Sequence, residues 1–576
     1  METFLSRSGP WAWDGKLGRQ ACPAGASTDD PDRIARRRLL SRTAGRWDVS
    51  YWPRYARGRP RWPERLAARR IALATSGPQA GAAAEIPSGP HADPGAQVAA
   101  KPRSSRGGIA WLIGAAAAFT LALFLFDSLR IPLFWDESVY ASQISQHAPM
   151  PWGAERARGL PLLVAPVTLF TSSVVALRVY LMVMAGLGLF LAMLAWRGRR
   201  PDWVVALAGV IFGGLWVTQQ QAALLLPSYW SAIGGLAGVG LFLRAMERGR
   251  SSPLGIVLLA VAATFTALMR PADALVIFGI LFVIALTARP WRHALSLMAA
   301  IAAGLAVGIG EWIAESYLYF DGPVRRLHAM SAASGGRKLN LVNNLRIMSG
   351  GLVSSKPGFP SISGWSHPRL LVWWAAFGVL ALIGVYAAHR YHGWLLAAIP
   401  VICALGVYAL YSLPVRDNTR YLQPVWALLA VSAADAIYWL VTTPRGRLRV
   451  AAIAAASLFV VAELGTQHAL LAASNAQRVA DGQVQTEAVQ DMRQLGVRPP
   501  CVLTSSRLAV PITLPAAYYL GCSYQWHIKS LAQAGGRRVV VLVHGGASPQ
   551  PFAQAWPAHR LPENTGRVVG YVEPVG

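Results

Sequence analysis

Residues 109–140 read IAWLIGAAAAFTLALFLFDSLRIPLFWDESVY. The run from Ile109 to Phe126 is apolar except for Thr120, and as a helix it is long enough to cross roughly 30 Å of hydrocarbon. Two adjacent carboxylates, Asp136 and Glu137, follow where the chain should leave the membrane. The aromatic pair Phe134-Trp135 precedes them, and a helix-like segment, Ser138 to Gln146, comes after. Carboxylates at a bilayer boundary are costly unless they are solvated, paired or in use. Asp136 can cap a surface helix, with Glu137 in the first turn against the helix dipole. A general base is the competing reading. The rest of the chain decides between them.

The same apolar pattern recurs along the chain. Expected membrane helices are 109–128, 174–196, 202–220, 227–244, 254–270, 272–288, 292–312, 370–388, 394–413, 421–441 and 450–472. Arg270-Pro271 divides the fifth from the sixth, because proline starts a helix well. Over 576 residues the chain is 54% hydrophobic and 14% charged, with a mean hydropathy of +0.36. That is the profile of a polytopic α-helical membrane protein with about 11 transmembrane helices, and it excludes a soluble enzyme of this length. The net charge of +27 does not imply nucleic acid, since the basic residues form no aromatic-interleaved module.

The positive charge instead writes topology. Arg197-Gly198-Arg199-Arg200, Arg244 to Arg250, Arg289 to His293, His389 to His392 and Arg445 to Arg449 follow alternate spans. Together with a basic N-terminal tail they share one face, which the positive-inside rule makes cytoplasmic. Residues 1–106, rich in Arg, Pro, Gly and Ala without periodicity, are expected to be a disordered cytoplasmic tail. The opposite, outer face receives the long connections 130–173 and 313–369, the turn 414–420, and the C-terminal region. Within the first of these, Leu160 to Phe170 is apolar but too short to span, as an interfacial helix would be.

Residues 107–474 thus form the membrane domain, and 475–576 are expected to form a small extracytoplasmic α/β domain. In the latter, Thr486 to Leu495 reads as an amphipathic helix, Cys501 to Thr504 as a short strand and Arg538 to His544 as a buried strand. The four cysteines include no CxxC or Cys/His cluster, so a structural zinc site is not indicated. An outer location allows a Cys501–Cys522 disulfide, while the sequence leaves their separation open.

With this topology, the motifs resemble those of the GT-C membrane glycosyltransferases that use polyprenyl-phosphate sugars, the broad group of protein O-mannosyltransferases and lipid A aminoarabinose transferases. Trp135-Asp136-Glu137-Ser138-Val139-Tyr140 follows the first span, Arg158-Gly159-Leu160-Pro161-Leu162 opens the interfacial helix, and Leu177-Arg178 opens the next span. Arg420-Tyr421-Leu422-Gln423-Pro424 resembles the group's late Arg-Tyr-Leu-x-Pro element. The paired prolines usual in the interfacial helix are here Gly159-Leu160-Pro161, which leaves the acceptor class open.

The resemblance implies sugar transfer with inversion on the outer face of a bacterial cytoplasmic membrane. The donor would be a polyprenyl-phosphate sugar and the acceptor a hydroxyl of a glycan, lipid or protein. Asp136 would be the base, with Glu137 orienting it or the acceptor. A carboxylate pair can also hold a divalent metal, although two acids alone are a poor ligand set. Cations must meet the leaving phosphate: Arg156, Arg158, Arg270, His328, Arg337, Lys338, Arg416 and Arg420 are the candidates. Glu311, Glu315 and Tyr317 are candidates for acceptor binding, against the plainer reading of a solvated helix exit and an interfacial aromatic belt. A transporter or flippase for lipid-linked saccharides is the alternative. It would want charges or broken helices near the bilayer centre, often in repeated halves.

Overall fold

The computed structural model describes residues 108–574, apart from 146, 249–251, 334–367, 413–418, 506–509, 545 and 563–567. The tail expected at 1–106 lies outside the described residues, as do Arg337, Lys338 and Arg416. Fifteen helices precede the C-terminal sheet among the described residues. They are α1 (Gly108–Phe126), α2 (Trp135–Ser142), α3 (Gly159–Thr168), α4 (Val174–Leu194), α5 (Asp202–Gly213), α6 (Trp216–Ala223), α7 (Pro227–Arg248) and α8 (Pro253–Met269). There follow α9 (Pro271–Ala285), α10 (Trp291–Tyr319), α11 (Pro323–Ala333), α12 (Pro368–His392), α13 (Trp394–Ser412), α14 (Gln423–Thr442) and α15 (Arg447–Gln494).

Every apolar stretch expected to span is helical, 202–220 as two helices, but not all are long enough to cross. Six candidate spans pass on length and hydropathy, among them α1, α4, α10 and α13, and a seventh is added if the bent pair α5–α6 is one span. The chain is therefore a multi-pass helical membrane protein. α8 and α9, at 17 and 15 residues, are shorter apolar helices that meet at Arg270, whose φ of −152° and ψ of 97° break the helix ahead of Pro271.

Two departures from the sequence reading have local causes. The stretch 202–220 is broken rather than continuous: α5 and α6 bend by 79° after Gly213-Gly214. The bend sends a polar half-helix inward. Gln219, Gln220 and Gln221 are buried, and Gln220 donates to Ser474 at 2.5 Å. The Trp216 N–H donates to Gln467 at 2.9 Å and Thr218 to Gln423 at 3.1 Å. The second departure is α15. The stretch 450–472 and the segment 486–495 belong to one helix of 48 residues, because no proline interrupts them and the joining residues tolerate helix. Gly482 lies where a Cβ would meet Pro132 at 2.6 Å, so α15 passes close under the loop before α2.

That loop and the C-terminal region are joined. Five strands, β1 (Cys501–Ser505), β2 (Ser523–Tyr524), β3 (Arg538–His544), β4 (Ala558–Leu561) and β5 (Val568–Val572), form a sheet in the order β2-β1-β3-β5-β4. β2, β1 and β3 run parallel, and β5 and β4 pair antiparallel. β1 and the residues just before β2 are linked by the Cys501–Cys522 disulfide, with Cα atoms 4.8 Å apart. The helix between them, α16 (Thr513–Leu520), faces the membrane part. Leu133 N–H donates to the Tyr519 hydroxyl at 3.0 Å and Tyr524 N–H to Pro149 O at 3.0 Å. His147 Nε2 lies 2.7 Å from Tyr518 O.

At the other end of the bundle, the basic loop after α4 is not simply exposed. Arg200 is buried and paired with both oxygens of Asp435 in α14, and Arg199 is buried 2.8 Å from Glu247 in α7. A buried cation needs such a partner, and the pairs tie the loop to two neighbouring helices.

Candidate active site

The site grows from the turn that starts α2. Glu137, three residues into the helix from Phe134, turns back and accepts from the Phe134 N–H at 3.1 Å. Its remaining capacity is spent on the protein interior. Arg178 in α4 donates through Nη1 at 2.5 Å and Nη2 at 3.0 Å, and the Leu225 N–H donates at 2.7 Å. Each carboxylate oxygen accepts twice, and the side chains of Glu137 and Arg178 are both only 1% exposed. Arg178 also donates to Pro132 O and Ala223 O, at 3.1 Å each. Glu137 therefore locks the start of α2 to α4 and to the α6–α7 link.

Asp136 is turned away from this lock by the helical rotation of one residue. Its side chain is 34% exposed. Arg156 donates to Oδ1 at 2.7 Å and Arg420 to Oδ2 at 3.1 Å. Burial would push this carboxyl up, but Arg420 and Arg156 together outweigh it and hold it below the usual carboxylate range. Arg156 is buried and also pairs with Glu155 at 2.7 Å; the two carboxylates outweigh its own desolvation and raise its pKa. Arg420, in the turn Thr419–Leu422 before α14, lies over the Tyr421 ring at 5.2 Å and donates to its hydroxyl at 3.3 Å. Nε of Arg156 and Nε of Arg420 are buried without a hydrogen-bond partner. Two cations thus meet one carboxylate and retain unused donors.

A second cluster lies alongside. Arg158 donates through Nε to Glu315 Oε1 at 2.5 Å and through Nη1 to Gln143 at 3.2 Å, and its guanidinium lies 4.2 Å from the Trp152 ring. Glu315 Oε2 accepts from Arg326 at 2.8 Å and from the Trp152 indole at 3.1 Å. Arg326 in α11 is fully buried and donates to the carbonyls of Ala154, Trp312 and Arg156 at 3.0, 3.0 and 2.7 Å. It thereby fixes the loop that presents Arg156. Gly159 allows α3 to approach α8, since a Cβ there would lie 2.6 Å from the Leu268 carbonyl carbon and oxygen.

The structure gathers Asp136, Arg156 and Arg420 in one contact set, and Arg158 with Glu315 in another. Arg270 sits apart from both carboxylates, over the rings of Tyr421 at 4.3 Å and Tyr411 at 5.0 Å, with Asp273 at 3.6 Å. Shared contact with Tyr421 connects it to Arg420. His328 is exposed on α11, Tyr317 is 69% exposed on α10, and Glu311 is half-buried with Oε2 unpartnered. The residues about Asp136 do not suit a divalent cation, because both oxygens accept from guanidiniums. Among the described residues no three His, Cys, Asp or Glu converge on a metal site.

Sequence reasoning assigned no role to Arg178, Arg326 or Tyr421. Arg178 carried a usable signal, a lone cation in an otherwise apolar helix, which must find a buried partner. Arg326 carried none: its neighbour Arg325 is exposed and pairs with Asp321, and only helical phase separates the two.

No family model matches the sequence, and no curated protein matches it. Solved structures do. ArnT from Cupriavidus metallidurans bound to undecaprenyl phosphate aligns with a TM-score of 0.51 at 15% identity, over 81% of this chain and 98% of that one. The apo state of the same protein gives 0.51 and 15% over 80% and 97%. The oligosaccharyltransferase AglB from Archaeoglobus fulgidus, in complex with an inhibitory peptide and a dolichol-phosphate, gives 0.44 and 13% over 76% and 70%. Spanning nearly the whole of ArnT, the chain has the fold of the GT-C membrane glycosyltransferases.

Proposed function

We propose that this protein is an inverting glycosyltransferase that moves a sugar, a hexose or a pentose, from a polyprenyl-phosphate donor to an acceptor hydroxyl. The reaction takes place on the outer face of a bacterial cytoplasmic membrane, into which the chain is threaded by about 11 helices, several of them short or bent. Its N-terminus is cytoplasmic, and residues 475–576 form the outer domain. The observation that carries this reading is the partly exposed Asp136 carboxylate clamped between Arg156 and Arg420. In support, the fold is shared with ArnT, which is bound to undecaprenyl phosphate in its crystal structure.

In the proposed step the acceptor oxygen bonds to the anomeric carbon while its proton passes to Asp136. The bond between that carbon and the phosphate oxygen breaks, leaving polyprenyl phosphate. An aspartate held low by two cations is a weak base. A donor phosphate engaging the unused donors of Arg156 and Arg420 draws those cations toward itself, and Asp136 becomes more basic as the leaving group is stabilised. Planar guanidiniums suit this exchange, since each can serve two oxygens. Arg158 and Arg270 lie one contact further out and guide the phosphate by charge. Glu137 positions Asp136 and has no free lone pair for the acceptor. Glu311, with an unpartnered oxygen, is the stronger acceptor-side candidate, whereas Glu315 acts through Arg158.

The test is incubation of purified protein with a panel of polyprenyl-phosphate sugars, reading released polyprenyl phosphate. Wild type should release it with one member of the panel and Asp136→Asn should not. Release undiminished in Asp136→Asn would remove Asp136 as the base. Passage of the lipid-linked sugar across a vesicle bilayer without release would make the protein a flippase.

A further inference from the structure

The outer sheet brings an aromatic cluster to the residue beside the proposed base. Trp526 follows β2, is 45% exposed and is the largest exposed apolar side chain described in that domain. Its ring centroid lies 6.4 Å from that of Trp135 and 6.0 Å from that of Tyr524, edge to face in both pairs. Trp135 and Tyr524 are themselves 6.2 Å apart, also edge-on. Trp135 immediately precedes Asp136, so their Cα atoms are only about 3.8 Å apart. The backbone at His527 is left-handed, with φ of +51°, a conformation uncommon outside glycine, asparagine, aspartate and histidine.

The location is informative in itself. β2, β1 and β3 are parallel, and Trp526-His527, Ser505 and His544 mark their carboxyl ends. Open α/β sheets bind ligands at that edge. Here the edge is held against the first loop by the Tyr524–Pro149 hydrogen bond, and β2 is anchored to β1 by Cys501–Cys522. An indole kept exposed at this edge offers an apolar face, above a buried base in which the Ser505 and Tyr524 hydroxyls lie 3.3 Å apart. Flat rings with one apolar and one polar aspect suit a sugar ring, which presents C–H groups on its face and hydroxyls around its rim.

We propose that Trp526, with Trp135, forms an acceptor subsite for a saccharide ring, and that the acceptor is accordingly a glycan rather than a peptide or a lipid. This rests on the transferase reading above and names its acceptor class. Trp526 receives the ring from the aqueous side while the donor reaches Asp136 from the membrane.

The test uses the full-length protein labelled with 5-fluorotryptophan, with the Trp526 resonance assigned by its loss in Trp526→Phe. Mannopentaose and arabinopentaose serve as probes. Saturable movement of that resonance with either oligosaccharide is expected, with affinity weakened about tenfold in Trp526→Ala and largely kept in Trp526→Phe, both read by calorimetry. No movement with either sugar overturns the proposal. Movement on transfer from detergent to phospholipid nanodiscs, but not with sugar, also overturns it and makes Trp526 a membrane anchor. Saccharide binding that persists while Asp136→Asn retains donor turnover would leave this subsite standing and remove the base assignment instead.

Discussion

Replacing Glu137 by alanine should unfold more of this protein than any change at Asp136. Glu137 accepts four hydrogen bonds, two from Arg178 and one each from the N–H groups of Phe134 and Leu225, in a pair only 1% exposed. Removing one member of such a pair leaves the other charge buried without a counter-ion, at about 3–5 kcal/mol. Arg178→Ala should cost a similar amount for the same reason. Because each single change already forfeits the pair, the double variant should cost less than the sum of the singles, by about 1–3 kcal/mol. Glu137→Gln keeps the volume but turns an amide NH2 toward groups that are all donors, and it should fall between wild type and Glu137→Ala. SDS titration of the purified protein, followed by far-UV CD and interpreted as a four-variant cycle, measures these differences. If Glu137→Ala costs below about 1 kcal/mol, or the cycle is additive, the lock described here does not hold α2 in place.

Four further outcomes follow from the site. In Arg156→Gln, Asp136 loses one of the two cations that hold its pKa down, so the acid limb of the transfer rate should move to higher pH. The same sign applies to stability: a depressed carboxylate stabilises the fold above its unfolded pKa and loses that contribution as pH falls through the folded value, and Arg156→Gln should weaken this acid dependence. Gly159→Ala should destabilise by about 1–3 kcal/mol, because the new methyl meets the backbone of α8, as a thermal shift assay would show. Reduction of Cys501–Cys522, or Cys501→Ser with Cys522→Ser, should cost the outer domain about 2–4 kcal/mol for a loop of 21 residues, visible as faster proteolysis near 506–522. Arg326→Met should free the carbonyls of Ala154 and Arg156 and raise amide exchange across 153–158, with transfer falling as Arg156 loses its place.

The apolar runs and the Arg270-Pro271 break were readable because hydrocarbon admits few alternatives to helix and proline dictates where one begins. The bend after Gly213-Gly214 was not, since paired glycines permit a continuous apolar run and a broken one alike. Nor was the fusion of 450–472 with 486–495: polarity changes at the membrane surface while helix propensity does not. In the site, Asp136 stood out through its position in the first loop, and Arg420 through its motif. Their meeting across 284 residues of chain is tertiary, and no local pattern encodes it. Glu137 was expected to orient Asp136 or the acceptor, and one residue of helical rotation sends it into the interior.

The 48 residues of α15 extend about 72 Å, more than twice the roughly 30 Å of a bilayer core. One rigid rod therefore begins beside the basic segment 445–449 and ends beneath the sheet that carries Trp526. A pivot of about 5° at the near end displaces the far end by about 6 Å, roughly the width of one sugar ring. Because Gly482 lies against Pro132 and the sheet edge is hydrogen-bonded to the first loop through Tyr524 and Pro149, such a pivot carries the sheet and the loop that bears Asp136 together.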